Sequence, residues 1–84
     1  MVPIQQLLNR IRWDRDFGMG SFEIGYQDNQ AQKLVRIPFK EIRFEEGNHF
    51  SFQLEDESGE MTTIPFHRIR EVYKDGILIW RRPG

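Results

Sequence analysis

Thr63-Ile64-Pro65-Phe66-His67-Arg68-Ile69-Arg70-Glu71-Val72-Tyr73-Lys74-Asp75-Gly76-Ile77-Leu78-Ile79-Trp80-Arg81-Arg82 reads as a strand, a proline-directed corner, a second strand, a two-residue turn and a third strand. Asp75-Gly76 between two apolar-rich runs is the pattern of a type I′ hairpin, because that turn needs positive φ at both central residues. The last strand, Ile77 to Trp80, is apolar on both faces. A strand of that kind is expected to be covered on both sides or to sit centrally in its sheet.

Working backwards, the same corner recurs. Ile37-Pro38-Phe39-Lys40-Glu41-Ile42-Arg43 matches Ile64-Pro65-Phe66-His67-Arg68-Ile69-Arg70 at five of seven positions. Each copy follows a hairpin pattern and precedes a Gly-containing turn, so the chain reads as two units of hairpin, Ile-Pro-Phe corner and strand. Units this short cannot bury a face alone and are expected to pack together as an antiparallel sheet or small barrel. Where the copies agree, the residues read as structural. Where they differ, Lys40-Glu41 against His67-Arg68, the second copy has gained a cationic, titratable pair, which is the first place to look for function.

The remaining elements follow from periodicity. Ile4, Leu7, Leu8 and Ile11 recur at helical spacing after Pro3, which suits a first helical position. That helix is expected to end near Trp13-Asp14, before Gly18-Met19-Gly20. From Phe22 the period changes to two: Phe22, Ile24 and Tyr26 alternate with polar or small residues, a half-buried strand. A polar turn over 28–32 leads to a second strand from Lys33 to Ile37, stopped by Pro38. Residues 39–42 are a tight corner, and Arg43-Phe44 starts a further strand. Phe50, Phe52 and Leu54 form the clearest amphipathic strand, returned by Glu57-Ser58-Gly59 into Met61 to Ile64. The fold expected is α+β, one domain over residues 1–84, with an N-terminal helix packed on a mostly antiparallel curled sheet or small barrel.

Composition narrows the function. The 84 residues are 38% hydrophobic, 13% aromatic and 30% charged, the profile of a small, highly charged globular domain with a modest core. The chain has no cysteine, which excludes disulfides and thiolate metal sites and is compatible with a reducing cytosol. No apolar run approaches the roughly 20 residues of a membrane span, so a cytoplasmic protein with no membrane partner is expected. The net charge of −1 hides three blocks: +2 over residues 1–44, −6 over 45–66 and +3 over 67–84. A protein coating nucleic acid would carry a positive total. Capture of a single end needs only a local patch, and the acidic middle can equally serve to neutralise its flanks.

Catalytic patterns are sparse. There is no Gly-x-Ser-x-Gly elbow, and Gly18-Met19-Gly20 precedes a strand rather than a helix, the wrong setting for a phosphate loop. His49 and His67 lie far apart without a metal-ligand spacing, so neither a metal nor a cofactor is expected. A histidine acid–base role remains a minor alternative. Recognition fits better. Arg matches phosphate bidentately, His adds a donor, and Trp or Tyr faces accept a stacked base at about 1–3 kcal/mol each. His67, Arg68, Trp80 and Arg81 supply both halves of such a site if they converge, whereas Trp80 as a plain core residue is the competing reading.

The run Ile64-Pro65 through His67-Arg68-Ile69, the turn at Gly76, Trp80-Arg81-Arg82 and a helix ending in Arg12-Trp13-Asp14 together resemble the small archaeal and bacterial family described as the RNA cyclic-group-end recognition domain. The resemblance covers nearly the whole chain and is strongest in its last twenty residues. It implies a non-catalytic module binding RNA ends that carry a 2′,3′-cyclic or terminal phosphate, in RNA processing or repair, with a phosphoesterase or ligase as partner. It implies His67 and Arg68 on the phosphate, Arg12 or Arg81 assisting, and Trp80, Trp13 or Tyr26 stacking a base or ribose. Members often carry an Arg after a Tyr-x-Asp in the first strand; here Asn29 follows Tyr26-Gln27-Asp28, so that cation is missing. The alternatives are a protein-interaction domain that positions an enzyme and a weak phosphoesterase using His67.

Overall fold

The helical spacing of Ile4, Leu7, Leu8 and Ile11 becomes a buried stripe. In the computed structural model, which describes residues 2–83, helix α1 spans Ile4–Trp13 and buries these four side chains. Burying an aliphatic side chain of this size contributes about 1.5–3 kcal/mol, so the stripe and not helix propensity holds α1. Pro3 is the N-cap, one position earlier than expected, and its carbonyl accepts the Leu7 N–H at 3.1 Å. At the other end the chain turns extended at Asp14, whose carboxylate accepts the N–H groups of Asp16 and Phe17. The Phe17 N–H leads in holding the Asp14 carboxyl below its ordinary value, and Arg10 adds to it. Gly18 closes this turn: a Cβ there would lie 2.5 Å from the Ile11 carbonyl oxygen, which leaves no room for any other residue.

The strands are β1 (Phe22–Asp28), β2 (Lys33–Pro38), β3 (Ser51–Glu55), β4 (Met61–Pro65), β5 (Ile69–Lys74) and β6 (Ile77–Arg81). Four of them form an antiparallel sheet in the order β2-β1-β5-β6, and β3 and β4 form a separate hairpin. The sheets are open, so the barrel expected as an alternative does not form. Arg43 makes one bridge to Gln53 rather than starting a strand, and Phe50 lies outside β3, 82% exposed.

Alternation sorts the sheet into two faces. Phe22, Ile24, Tyr26, Ile69, Val72 and Trp80 are buried on the inner face, under α1 and the β3–β4 hairpin, with Phe52 and Ile64 of that hairpin packed into the same core. The outer face carries a polar cluster: Arg36 pairs with Glu23 at 2.8 Å, lies 3.6 Å over the Tyr73 ring, and Tyr73 donates its hydroxyl proton to Glu71.

Strand β6 departs from the sequence expectation. It is an edge strand, and Ile77, Leu78 and Ile79 are exposed while only Trp80 is buried. The cause is strand order: β5 takes β1 as its other neighbour, so β6 has one partner and one covered face. The turn before it is as read, with φ +51° at Asp75 and +82° at Gly76. Asp75 also does something its turn role did not suggest. Its carboxylate accepts the Ser21 N–H at 2.8 Å and its own N–H donates to the Ser21 carbonyl, which ties the β5–β6 turn to the start of β1.

The two Ile-Pro-Phe copies adopt the same backbone. Each is one turn of 3-10 helix, Phe39–Glu41 in the first corner and Phe66–Arg68 in the second. Their proline caps sit at φ −63°, ψ 139° and φ −62°, ψ 143°, and the following Ile N–H bonds back to the Phe carbonyl in both. The rings of Phe39 and Phe66 both meet Phe44, at 5.8 Å and 6.2 Å. From there an aromatic run continues through Phe52, stacked on Phe66 at 5.9 Å, to Tyr26.

Candidate nucleic-acid interface

The second corner places His67 and Arg68 by its geometry. A 3-10 turn has about three residues per turn, so adjacent side chains diverge by roughly 120°. Phe66 points into the core, His67 is exposed, and Arg68 is partly buried and lines a cleft of about 930 Å³. Both corners contribute to this cleft, Lys40 and Glu41 from the first and Arg68 from the second, together with Tyr26 and the inner side of the β3–β4 hairpin. Glu41 and Arg68 occupy equivalent positions of the two copies. The substitution that separates the copies therefore changes the sign of charge in one shared cleft.

Arg68 is the unusual group. Its Nε is buried and has no hydrogen-bond partner among the described residues, and its guanidinium makes no ion pair there. Buried donors are nearly always paired, and leaving one unpaired costs about 1–3 kcal/mol, more for a charged group. The other charges in the cleft are largely committed. Asp28 accepts the Gln30 and Ala31 N–H groups, Asp56 accepts donors from Ser58 and Glu60, and Glu55 pairs with Arg43 at 3.5 Å. The Ser58 hydroxyl leads in holding the Asp56 carboxyl low. Burial, and then the Asp28 charge, pushes the Tyr26 hydroxyl up, so it stays protonated and able to donate at neutral pH. Lys40, Glu41 and Arg68 are left without ion pairs among the described residues.

The other candidates do not converge here. Trp13 is 74% exposed at the end of α1, and the Arg12 guanidinium lies between two rings, 4.7 Å from Trp13 and 4.1 Å from Phe44. Phe44 in turn meets Phe66, the residue before His67. Trp80, expected as a stacking face or a core residue, is core: it is 7% exposed and its indole N–H donates to the Val2 carbonyl at 2.8 Å. Its faces are closed to a base. Arg81 lies on the outer face of the sheet, away from the cleft, in a separate depression with Arg70 and Arg82. Tyr26 and Arg68 are thus brought together, Arg12 and Trp13 form a second group, and His67 lines neither depression.

Sequence inspection passed over two features. Lys40, on the first corner and not among the residues expected to bind, lines the cleft; the equivalence of the two corners was the signal that could have found it. The other is His49-Phe50-Ser51, a His-x-Ser spacing of the kind two-histidine phosphoesterases use. Here His49 is exposed, the Ser51 hydroxyl is held by the Asn48 side chain at 2.8 Å, and His67 has no Ser or Thr two residues on.

A sequence model of the MJ1316 RNA cyclic group end recognition domain family matches residues 1–82. The chain belongs to this family. A UPF0248 protein of Metallosphaera sedula is 33% identical over 81 residues, covering 96% of this chain and 94% of that protein. No solved structure matches the chain. The family match takes in α1, both corners and both sheets, so every candidate residue, including the cleft at Arg68, falls within it. Among the described residues no helix is long and apolar enough to cross a membrane.

Proposed function

We propose that the protein binds RNA through a terminal phosphate held in the Arg68 cleft, and that the end it prefers is the 2′,3′-cyclic phosphate. The observation that carries this is Arg68: its side chain lines a cleft of about 930 Å³, its buried Nε has no hydrogen-bond partner, and its guanidinium has no ion pair among the described residues. A phosphate oxygen supplies the acceptor it lacks, in the charge-assisted geometry Arg favours. Lys40 adds a second cation, and the protonated Tyr26 hydroxyl a neutral donor. The description of the family, RNA cyclic group end recognition, supports the same ligand class.

The preference for the cyclic end follows from charge. A 2′,3′-cyclic phosphate is a diester with a single negative charge, whereas a terminal monoester carries about −1.5 to −2 at pH 7. The cleft is lined by Lys40, Arg43 and Arg68 but also by Asp28, Glu41, Glu55 and Asp56. One anionic charge is satisfied by Arg68, and a second meets carboxylates. Discrimination of this kind rests on repulsion as much as attraction. At the helix end Trp13, the open ring beside the Arg12 guanidinium, offers a face to stack a base.

The test is fluorescence anisotropy with short RNAs differing only at the 3′ end: cyclic phosphate, linear phosphate or hydroxyl. A preference of about tenfold for the cyclic end, equivalent to about 1.4 kcal/mol, is expected. Equal, strongly salt-dependent binding to all three ends would reduce the protein to a generic basic patch and overturn end recognition.

A further inference from the structure

The proposed end site leaves the outer depression unused. It is a hollow of about 670 Å³ at the same end of the sheet, on the opposite face, where Arg70, Arg81 and Arg82 gather beside Gln27 and Leu34. Strand β1 shows how close the two hollows are: Tyr26 and Asp28 line the cleft, while Gln27 between them lines the outer hollow. One sheet thickness separates them.

A bulge builds the outer site. In the β1–β5 pairing Gly25 faces Glu71 and Tyr26 faces Ile69, so Arg70 is the extra, unpaired residue. A bulge places two successive side chains on one face and re-aims them. Arg70 and Glu71 accordingly both line the outer hollow, while Ile69 and Val72 on either side are fully buried. Without the bulge the strict alternation of β5 would break the core or the basic cluster. Gly25 opposite makes the approach possible, since a Cβ there would lie 3.3 Å from a Glu71 carboxylate oxygen.

The charges in this hollow are disposed for an anion. Arg82 is fixed in place, its Nε donating to the Ile69 carbonyl at 2.9 Å. Glu71, the one carboxylate, is engaged by the Tyr73 hydroxyl at 2.7 Å. Arg70 and Arg81 make no ion pair or side-chain hydrogen bond among the described residues. Three guanidiniums against one occupied carboxylate contrast with the mixed lining of the cleft. A diester backbone, with one charge per unit and no terminal group to recognise, suits such a site.

We infer that the outer hollow is a second RNA subsite, in which Arg70 and Arg81 hold the phosphodiester backbone upstream of the end while the strand passes over the rim of the sheet from the Arg68 cleft. The inference rests on the end-binding proposal, because it assigns the same strand to both sites. Arg68 and Arg70 stand two residues apart across that rim, about 6–7 Å along an extended chain. The two sites thus divide the work: the cleft reads what the end is, and the hollow reads that a chain is attached to it.

The experiment measures the affinity of the wild type and of an Arg70→Ser/Arg81→Ser variant for two ligands across a salt series: a nucleoside 2′,3′-cyclic monophosphate, and a six-nucleotide RNA ending in the same group. The expected result is binding of the hexamer about tenfold weaker in the variant, a salt slope lower by about 0.7 for each lost contact, and unchanged binding of the mononucleotide. Arg81→Ala alone, on an exposed side chain, should show half of the slope change and guards against a folding defect in the double variant. A variant that binds both ligands as the wild type does overturns the second subsite and leaves the cleft proposal standing. Failure of the wild type to bind the mononucleotide, with the hexamer still sensitive to the variant, overturns the end site. Loss in the variant of binding to phosphatidylserine vesicles, with RNA affinity unchanged, overturns the assignment to RNA in favour of a membrane surface.

Discussion

Replacing Arg68 by Met should move affinity and stability in opposite directions. Met keeps most of the apolar stem volume and removes the guanidinium, whose buried Nε has no partner. Relief of an unpaired buried donor is worth about 1–3 kcal/mol, against which the loss of stem packing is small, since Met fills irregular gaps well. The net expectation is a stability change between neutral and about 1 kcal/mol in favour of the variant. The same substitution removes the charge-assisted contact to phosphate, worth about 1.5–3 kcal/mol, so RNA binding should weaken by about 10- to 100-fold at 1.4 kcal/mol per decade. Urea denaturation read by tryptophan fluorescence gives the first quantity and anisotropy titration with cyclic-ended RNA the second. Arg68→Lys should restore part of the affinity, as a point charge without the fork. A variant destabilised by more than about 1 kcal/mol that binds RNA as the wild type does would refute the reasoning, because it would make Arg68 a structural residue with a partner of its own.

Other variants separate structure from site. Phe52→Ala removes a fully buried ring at the centre of the aromatic run and should cost about 3–5 kcal/mol, measured as a shift in the urea midpoint. The two tryptophans should behave oppositely: Trp80→Ala should cost a similar amount, whereas Trp13→Ala, at an exposed position, should leave the midpoint within about 0.5 kcal/mol and weaken RNA binding. Gly18→Ala should destabilise through its close approach to the Ile11 carbonyl, and circular dichroism at the α1 wavelengths would register the displaced helix end. Asp14 and Asp56 have folded values below the ordinary 3.8, so the stability they contribute is present above that pH and is lost as pH falls through their lowered values. The urea midpoint should therefore drop on acidification below about pH 4, and less steeply in Asp56→Ala.

The parts of the fold that were readable beforehand are local. The α1 stripe, the Asp75-Gly76 turn and the alternation in β1 each depend on residues within one element, and each formed as the pattern implied. The repeat of the Ile-Pro-Phe corner was readable for the same reason, since proline sets φ and the following turn needs only three residues. Strand order is not local. Nothing in Ile77-Leu78-Ile79 announces that β5 will take β1 as its other partner and leave β6 at the edge. The candidate site divides along the same line. Residue type singled out cations and aromatics, but Trp13 and Trp80 are indistinguishable by type, and one lies open while the other is core. His67 and Arg68 are neighbours in sequence that the 3-10 turn sends in different directions, and Arg81 falls on the far face because β6 alternates. Spatial grouping, which decides what a site can hold, came from the tertiary structure.

The claim on which the functional account depends is that Arg68 donates to a terminal cyclic phosphate. The side-chain Nε–H resonance of Arg68, assigned through its loss in Arg68→Lys, reports that contact directly in a nitrogen–proton NMR titration. On addition of a nucleoside 2′,3′-cyclic monophosphate it should shift downfield and saturate with the binding curve, and the same nucleoside without phosphate should leave it in place. Saturable binding of the cyclic nucleotide with the Arg68 resonance unmoved would contradict the account and locate the phosphate elsewhere on the protein.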